Sequence, residues 1–213
     1  MSFIFPKIYP VLDSSFIPAS GRAEFLRRLG GSLADAGVTL LEYRNKNGAE
    51  DELLADAELL RSVLPAGQVK LILDDRADLV ARVGFDGAHV DAGDLKPAEA
   101  RALLGPDLIV GTFGGGEALL PGILHSGADY FSIGPVFATR TKQTSLPLIG
   151  MEGVQRLREQ AEQEPVLVAI GGITLATAPA ALSAGASSVA VVGGLFRQAD
   201  PAAEFRRWMA ELG

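Results

Sequence analysis

The chain has 213 residues, of which 25 are glycine and none is cysteine, and 48% of its residues are hydrophobic. One domain of this length can bury a sizeable core, so we expect residues 1–213 to form a single unit, and a charged fraction of 21% is too low for a disordered tail. The absence of cysteine excludes disulfides, thiolate metal sites and a cysteine nucleophile, and a cytoplasmic location is expected.

The formal net charge of -7 argues against a general nucleic-acid surface, because neutralising phosphates requires an excess of lysine and arginine. No stretch approaches about 18 consecutive apolar residues, and the start of the chain lacks the long apolar segment of a signal peptide. We therefore expect neither a nucleic-acid partner nor a membrane partner.

Short apolar runs alternate with longer segments of helical periodicity along the chain. In Phe25, Leu26, Leu29 and Leu33, for example, apolar residues recur at the spacing of one helix face. Eight strands are predicted, at residues 8–12, 40–44, 70–74, 87–90, 108–112, 130–133, 166–170 and 188–192. Repeated strand–helix units imply parallel strands joined by right-handed crossovers.

Eight such units predict an α/β fold, a closed (β/α)8 TIM barrel with short loops. The alternative, an open doubly wound sheet, usually has a glycine-rich phosphate turn after its first strand, where this chain has Leu12-Asp13-Ser14. The pairs Gly171-Gly172 and Gly193-Gly194 follow the seventh and eighth strands, where barrels often bind phosphate. Their position favours the barrel. Barrels can associate through their outer helices, so a homo-oligomer is compatible with this fold.

In a barrel of this kind the active site lies at the carboxyl ends of the strands. After the second strand, alternation places Glu42, Arg44 and Lys46 on one side, and three charges at this spacing are unusual for core positions. These residues either bind substrate or form a solvated strand end or a structural ion pair.

Acidic residues follow the third and fourth strands, at Asp75 and Asp94. Two carboxylates on neighbouring strands, opposite lysine and arginine, suit Mg²⁺, which takes one or two protein carboxylates and completes its shell with water and substrate oxygens. The pair predicts a magnesium cofactor. Taken alone, Asp75 could equally cap the following helix.

Two further segments suit anions. The run Thr139-Arg140-Thr141-Lys142 after the sixth strand offers hydroxyls and cations for an anion clamp, with an ordinary solvated loop as the alternative. At Gly171-Gly172 and Gly193-Gly194, small residues let backbone N–H groups approach a phosphate.

The two histidines are weaker candidates. His89 lies in a predicted strand and is typical of a core histidine with its hydrogen bonds satisfied. His125 lies near a predicted helix end and is typical of a capping or surface residue. We assign neither of them a catalytic role.

Taken in order, these residues resemble the thiamine-phosphate synthase family and its thiazole tautomerase relatives. The matching segments are Tyr43-Arg44-Asn45-Lys46, Asp75-Arg76-Ala77-Asp78-Leu79, residues 87–95, residues 128–142, Ala169-Ile170-Gly171-Gly172-Ile173 and Val189-Ala190-Val191-Val192. The run at 134–142 is the most specific, whereas glycine pairs also occur in other phosphate-binding barrels.

The resemblance implies an enzyme that joins an aminopyrimidine methyl diphosphate to a thiazole phosphate and releases pyrophosphate, so its partners are small phosphorylated molecules. It implies Mg²⁺ on Asp75 and Asp94, and diphosphate binding by the cations Arg44, Lys46 and Lys142. It places thiazole-phosphate contacts at Thr139, Thr141, Gly172 and the turn after the eighth strand, and Gly171, Gly193 and Gly194 are also expected to bind substrate. The thiazole nitrogen attacks the methylene cation left by the diphosphate, so no protein nucleophile is needed.

The pyrimidine side departs from the family pattern. Glu42 stands where the family usually has Gln, and Asp74 where it has Asn, so each position loses an N–H donor. We expect Glu42 and Asp74 to contact the pyrimidine, and Phe113, in a segment where the family has Ser and His, to narrow its pocket. Gly193 replaces a family Ser that could donate to pyrophosphate.

Three other functions remain as alternatives. A thiazole tautomerase-like isomerase would not need the metal pair, and retention of Asp75 and Asp94 counts against it. A barrel that binds a thiazole or thiamine phosphate without turnover would fit the changed pyrimidine side. A Schiff-base aldolase is suggested by Glu42 and Arg44, but the sixth strand has no lysine.

Overall fold

The computed structural model describes residues 3–91, 93, 95–139, 141, 145–161 and 165–213. Within these residues, eight parallel strands form a closed barrel in which each strand pairs with the next along the chain and the last pairs with the first. The strands are β1 (Ile8–Asp13), β2 (Leu40–Arg44), β3 (Lys70–Asp74), β4 (Gly87–Val90), β5 (Ile109–Gly115), β6 (Tyr130–Ile133), β7 (Val166–Ala169) and β8 (Ser188–Val191). The predicted (β/α)8 barrel is confirmed.

Helices follow the strands around the outside of the barrel. They are α1 (Arg22–Asp35), α2 (Glu50–Val63), α3 (Val80–Val83), α4 (Pro97–Leu104), α5 (Leu120–Ile123), α6 (Gly150–Gln160), α7 (Ala178–Ser183), α8 (Gly193–Phe196) and α9 (Pro201–Leu212). Short 3-10 helices span Ser14–Phe16 and Ala77–Leu79. Within the described part of the chain, none of the helices has the length and apolarity needed to cross a bilayer.

The fifth strand differs most from its prediction. Residues 108–112 were the predicted strand, whereas β5 extends to Gly115. The pairing of β5 with β6 shifts register between Phe113 and Gly115, which is a bulge-like irregularity that strand alternation cannot predict. Phe113 therefore lies on a strand rather than in a loop.

Two apolar layers hold the barrel together. The larger one fills the space between the strands and the outer helices, and the smaller one fills the barrel itself, with Tyr9, Leu40, Ile72, Tyr130 and Val168 among its buried members. The Phe5 ring packs beneath the barrel, with its centroid 5.5 Å from Tyr9 and 5.0 Å from Tyr130. Because Phe5 precedes β1, apolar side chains fill the amino end, and the polar residues lie toward the carboxyl end.

A buried polar contact fixes β2 from outside the barrel. Asp56 of α2 accepts hydrogen bonds from the Tyr43 hydroxyl at 2.5 Å and from Arg22 Nε of α1 at 2.8 Å. Since successive residues of a strand point to opposite sides, anchoring Tyr43 outward holds Glu42 and Arg44 inward. The orientation of the functional side chains thus depends on this outer contact.

Close approach of Tyr130 to the backbone makes Gly111 a test of the packing inside the barrel. A Cβ at position 111 would lie 2.0 Å from Tyr130 Cζ, and Tyr130 is fully buried. We expect Gly111→Ala to lower the free energy of unfolding by about 1–3 kcal/mol, measured by urea denaturation. Gly122→Ala is the control because a Cβ there meets nothing within 4 Å. Equal stability of the two variants would contradict this packing.

Candidate active site

A cavity of about 330 Å³ lies at the carboxyl ends of the strands, a volume suited to a small ligand. The predicted site residues that line it are Glu42, Arg44, Asp74, Phe113, Thr139, Thr141, Gly171, Gly172, Gly193 and Gly194. Lys46 and Asp75 are not among its lining residues: Lys46 is ion-paired to Asp74, which lines the cavity, and Asp75 is ion-paired to Lys46. Asp94, Arg140 and Lys142 fall outside the residues that the structure describes.

Arg44 lies between two carboxylates at one rim of the cavity. Strand register places Arg44 opposite Asp13 across β1 and β2. Its guanidinium is ion-paired to Asp13 through Nη1, and its Nε lies 3.4 Å from Asp74 Oδ2. Burial would raise the pKa of Asp13, but hydrogen bonds from Ser15 and the Arg44 charge outweigh it and hold that pKa below its usual range.

Lys46 extends this arrangement to the third strand. Its Nζ lies 3.4 Å from Asp74 Oδ2 and is ion-paired to Asp75 Oδ2. The preceding Asn45 holds the loop, because its Oδ1 accepts hydrogen bonds from the Ser14 hydroxyl at 3.0 Å and the Gly48 N–H at 2.7 Å. These hydrogen bonds fix the backbone from which the Lys46 side chain extends.

Asp13, Glu42, Arg44, Lys46, Asp74 and Asp75 together form what we call the acid–cation cluster. Among these described residues, four carboxyls share two cations. Burial, followed by the nearby Asp74 charge, raises the pKa of Glu42 to about 8, and burial, followed by the Asp75 charge, raises the pKa of Asp74 to about 7. The cluster therefore has an excess of acid that protons, or a bound cation, must compensate.

Asp75 has the features of a metal ligand rather than of a helix cap. Its φ of 66° is in the left-handed region, which Asp and Asn tolerate better than most residues. The 3-10 helix after it starts from Arg76 without a side-chain capping hydrogen bond, and the Asp75 carboxylate pairs with Lys46, which gives no support to the capping alternative. Its Oδ1 is buried and has no hydrogen-bond partner within the described part of the chain.

A carboxylate oxygen of this kind is a hard donor that suits Mg²⁺. Within the described ranges no group of three or more His, Cys, Asp or Glu residues is arranged to hold a metal ion by itself. Mg²⁺ takes one or two protein carboxylates and completes its coordination with water and substrate oxygens, so the Asp75 carboxylate by itself can contribute to such a site.

A buried hydrogen-bond chain connects the cluster to the far wall of the cavity. The Tyr9 hydroxyl donates to Glu42 Oε2 at 2.7 Å and lies 2.8 Å from the Tyr130 hydroxyl, which lies 3.0 Å from His89 Nδ1. His89 Nε2 lies 3.5 Å from Ser132 Oγ. Because each phenol carries one hydrogen, donation from Tyr9 to Glu42 makes Tyr130 donate to Tyr9 and His89 Nδ1–H donate to Tyr130.

The histidines divide as follows. His89 is buried with polar partners, as expected for a core histidine, but it also lines the cavity, which its place in a strand did not reveal. His125 is exposed, as expected.

The sequence did not predict Asp13, Tyr9 or Tyr130 as residues of the site. Reading the end of β1 in the same way as the other strand ends would have identified Asp13.

The opposite wall of the cavity is built from the glycine pair after β7. A Cβ on Gly171 would lie 2.8 Å from Pro135 Cα, and one on Gly172 would lie 2.4 Å from the Ala138 carbonyl oxygen. The loop after β6 hydrogen-bonds here, with Phe137 N–H donating to the Gly171 carbonyl at 2.9 Å. Glycine at 171 and 172 is thus required for close approach of the two loops, whatever the cavity binds.

Thr139 and Thr141 lie within this packed loop. The Thr141 N–H donates to Thr139 Oγ1 at 3.2 Å, which orients both residues along the cavity wall. Phe113 lines the cavity from β5 and is half-buried. No lysine is found among the described residues that line the cavity, which gives no support to a Schiff-base aldolase.

Comparison with known proteins agrees with this geometry. Residues 8–195 match the family described as thiamine monophosphate synthase. The thiamine-phosphate synthase of Koribacter versatilis is 38% identical over 190 residues, 89% of each chain, and that of Chloroflexus aurantiacus is 36% identical over 205 residues, 96% of this chain and 91% of the relative. The solved thiamine phosphate pyrophosphorylase from Pyrococcus furiosus superposes with a TM-score of 0.80 at 27% identity, over 97% of both chains.

The raised pKa of Glu42 makes the stability of the fold depend on pH. Its pKa of about 8 lies above the ordinary value of 4.5, so the folded state binds a proton that the unfolded state has lost. The free energy of unfolding should therefore fall as pH rises from about 4.5 to about 8. Glu42→Gln still accepts from Tyr9 but does not titrate, and should gain about 2–4 kcal/mol over the wild type between pH 5 and 8.

Urea denaturation at a series of pH values measures this difference, and Glu58→Gln on the exposed face of α2 is the control. The control should follow the wild-type pH profile. A Glu42→Gln profile parallel to the wild type would show that Glu42 is ionised in the folded protein.

Proposed function

The chain belongs to the thiamine monophosphate synthase family, and from this we propose that it is a transferase of thiamine biosynthesis that joins an aminopyrimidine methyl diphosphate to a thiazole phosphate and releases pyrophosphate. The observation that carries the proposal is the acid–cation cluster at one end of the cavity. There Arg44 and Lys46 converge with Asp74 and Asp75 at the carboxyl ends of β2 and β3.

The charge balance of this cluster supports a requirement for Mg²⁺. A diphosphate brings several negative charges to a region where both cations, Arg44 and Lys46, are already ion-paired to carboxylates, so an added cation would favour its binding. Asp75, through its unpartnered Oδ1, and Asp94 are the residues proposed to hold the ion. When bound, Mg²⁺ would neutralise the oxygens of the leaving diphosphate.

Arg44, Lys46 and Lys142 are proposed to bind the diphosphate and to stabilise its charge as the bond to the methylene carbon breaks. Departure of the diphosphate leaves a cation on the methylene carbon, which the electron-rich aminopyrimidine stabilises until the thiazole nitrogen attacks. The braced loop around Asn45 keeps Lys46 in place, which matters because misplacement by about 1 Å can cost 100-fold in rate.

Glu42 and Asp74 are proposed to contact the pyrimidine. A protonated Glu42 carboxyl offers both an O–H donor and a carbonyl acceptor, as a glutamine amide does, so the carboxyl can replace the amide without losing the donor. The hydrogen bond from Tyr9 to Glu42 Oε2 leaves Oε1 for the substrate. Phe113 is proposed to pack against the ring from β5.

Thr139, Thr141 and the glycine pairs after β7 and β8 are proposed to bind the thiazole phosphate at the other end of the cavity. Placing the two anionic groups at opposite ends keeps them apart while the thiazole nitrogen meets the methylene carbon between them. We propose the cytoplasm as the compartment, since a chain without cysteine does not depend on an oxidising environment.

Turnover of the two substrates tests the proposal directly. The purified chain should release pyrophosphate and form thiamine phosphate when Mg²⁺ is present, and should lose this activity in EDTA. Turnover that persists in EDTA would contradict the metal requirement. Absence of pyrophosphate release together with tight binding of thiamine phosphate would contradict the enzyme and favour a binding barrel.

Asp75→Asn tests the proposed ligand with little disturbance of the backbone, because Asn also tolerates a positive φ. We expect kcat/KM to fall by about 100-fold or more, with the melting temperature at least as high as that of the wild type. Asp35→Asn, at the exposed end of α1, is the matched control and should retain full activity. Wild-type activity of Asp75→Asn would remove Asp75 from the proposed metal site.

A further inference from the structure

Arg197 reaches the cavity from a position that the sequence did not single out. It follows α8 directly, and its side chain lines the cavity together with Gly171, Gly172, Gly193 and Thr174. These neighbours belong to the loops after β7 and β8, and β8 pairs with β1, so Arg197 lies on the side of the cavity formed by the ends of β7, β8 and β1.

The position of the Arg197 guanidinium is set by an aromatic contact. Its Cζ lies 5.6 Å from the centroid of the Phe16 ring, within the range of a cation–π interaction. Phe16 is half-buried and its ring is 6.4 Å from that of Phe196, so residues after β1 and β8 support the arginine together. A surface arginine with such a support loses less side-chain freedom on binding an anion.

Among the described residues, Arg197 has no carboxylate close enough to compensate its charge. Across the described residues no carboxylate lies within ion-pair distance of Arg197, whereas Arg44 is paired to both Asp13 and Asp74. The glycines around Arg197 carry no side chain that could compete for its N–H groups. A phosphate monoester is the chemical class that matches an arginine fork on a cavity wall lined by glycines.

The lack of a side chain at Gly193 leaves room for the Arg197 guanidinium. A Cβ at position 193 would lie 2.7 Å from Arg197 Nε, closer than real contacts allow, so any side chain there would displace the guanidinium. Residues 193 and 197 are four apart on one helical turn, which explains the contact. The two positions are therefore coupled.

We infer that Arg197 binds the phosphate group of the thiazole substrate, and of the thiamine phosphate product, and that Gly193 is required for its placement. This inference rests on the proposed function for the identity of the ligand. The two ends of the cavity then differ in chemistry: the acid–cation cluster takes an anion with a metal ion, and Arg197 takes a monophosphate without one.

Equilibrium binding separates this role from a structural one. Titration calorimetry on the full chain would compare thiamine phosphate with unphosphorylated thiamine. We expect Arg197→Gln to weaken thiamine phosphate binding by about 10-fold or more and to leave thiamine binding unchanged. Arg206→Gln removes the same charge from an exposed position of α9 and should change neither affinity.

A double-mutant cycle tests the coupling. Gly193→Ala should weaken thiamine phosphate binding in the wild type and have little further effect in Arg197→Gln. Unchanged thiamine phosphate affinity in Arg197→Gln, equal loss for both ligands, or additive effects of the two substitutions would overturn the inference.

The outcome is distinguishable from that of the turnover assay. An active chain in which Arg197→Gln has no effect overturns the inference and leaves the proposed function standing. An inactive chain that still binds thiamine phosphate through Arg197 contradicts the proposed function and supports the inference.

Discussion

The excess of carboxyls at the carboxyl ends of β1, β2 and β3 is the constraint on which the site depends. A closed parallel barrel brings these strand ends side by side, so Asp13, Arg44 and Asp74 pair across neighbouring strands. Two cations cannot neutralise the carboxyls that the described residues place there, and the pKa values of Glu42 and Asp74 rise as a result of burial and mutual repulsion. We propose that protons or a metal ion change this balance when an anion binds at this rim.

The rest of the barrel can be understood as support for this arrangement. Tyr43 and Asp56 anchor β2 from outside, Phe5 fills the amino end, and Tyr9 carries hydrogen bonds from Glu42 to the opposite strands. At the far end of the cavity the loops after β6 and β7 approach so closely that only glycine fits. The two sides therefore differ in chemistry, one carrying the acid–cation cluster proposed to take a diphosphate with a metal ion, the other lined by glycines and Arg197 and proposed to take a monophosphate.

The sequence predicted most of the fold because its strands are short apolar runs with clear punctuation, and the predicted bounds of β2, β3, β4 and β6 agree with the structure. It failed at β5, where a register shift lies within a glycine-rich segment. Charges leaving a strand at alternate positions identified Arg44 and Lys46. The same pattern could not reveal Tyr9, Tyr130 or Arg197, because their roles arise from contacts between residues distant in the chain, such as the 2.8 Å contact between the two tyrosine hydroxyls.

The central claim is that the acid–cation cluster binds a diphosphate only together with a divalent cation. Titration of the wild-type chain with pyrophosphate, in Mg²⁺ and in EDTA, measures this without any turnover. The charge balance predicts binding in Mg²⁺ and at least about 100-fold weaker binding in EDTA at neutral pH. Pyrophosphate binding of equal strength in both solutions would contradict the claim, since Arg44, Lys46 and the remaining cations would then suffice by themselves.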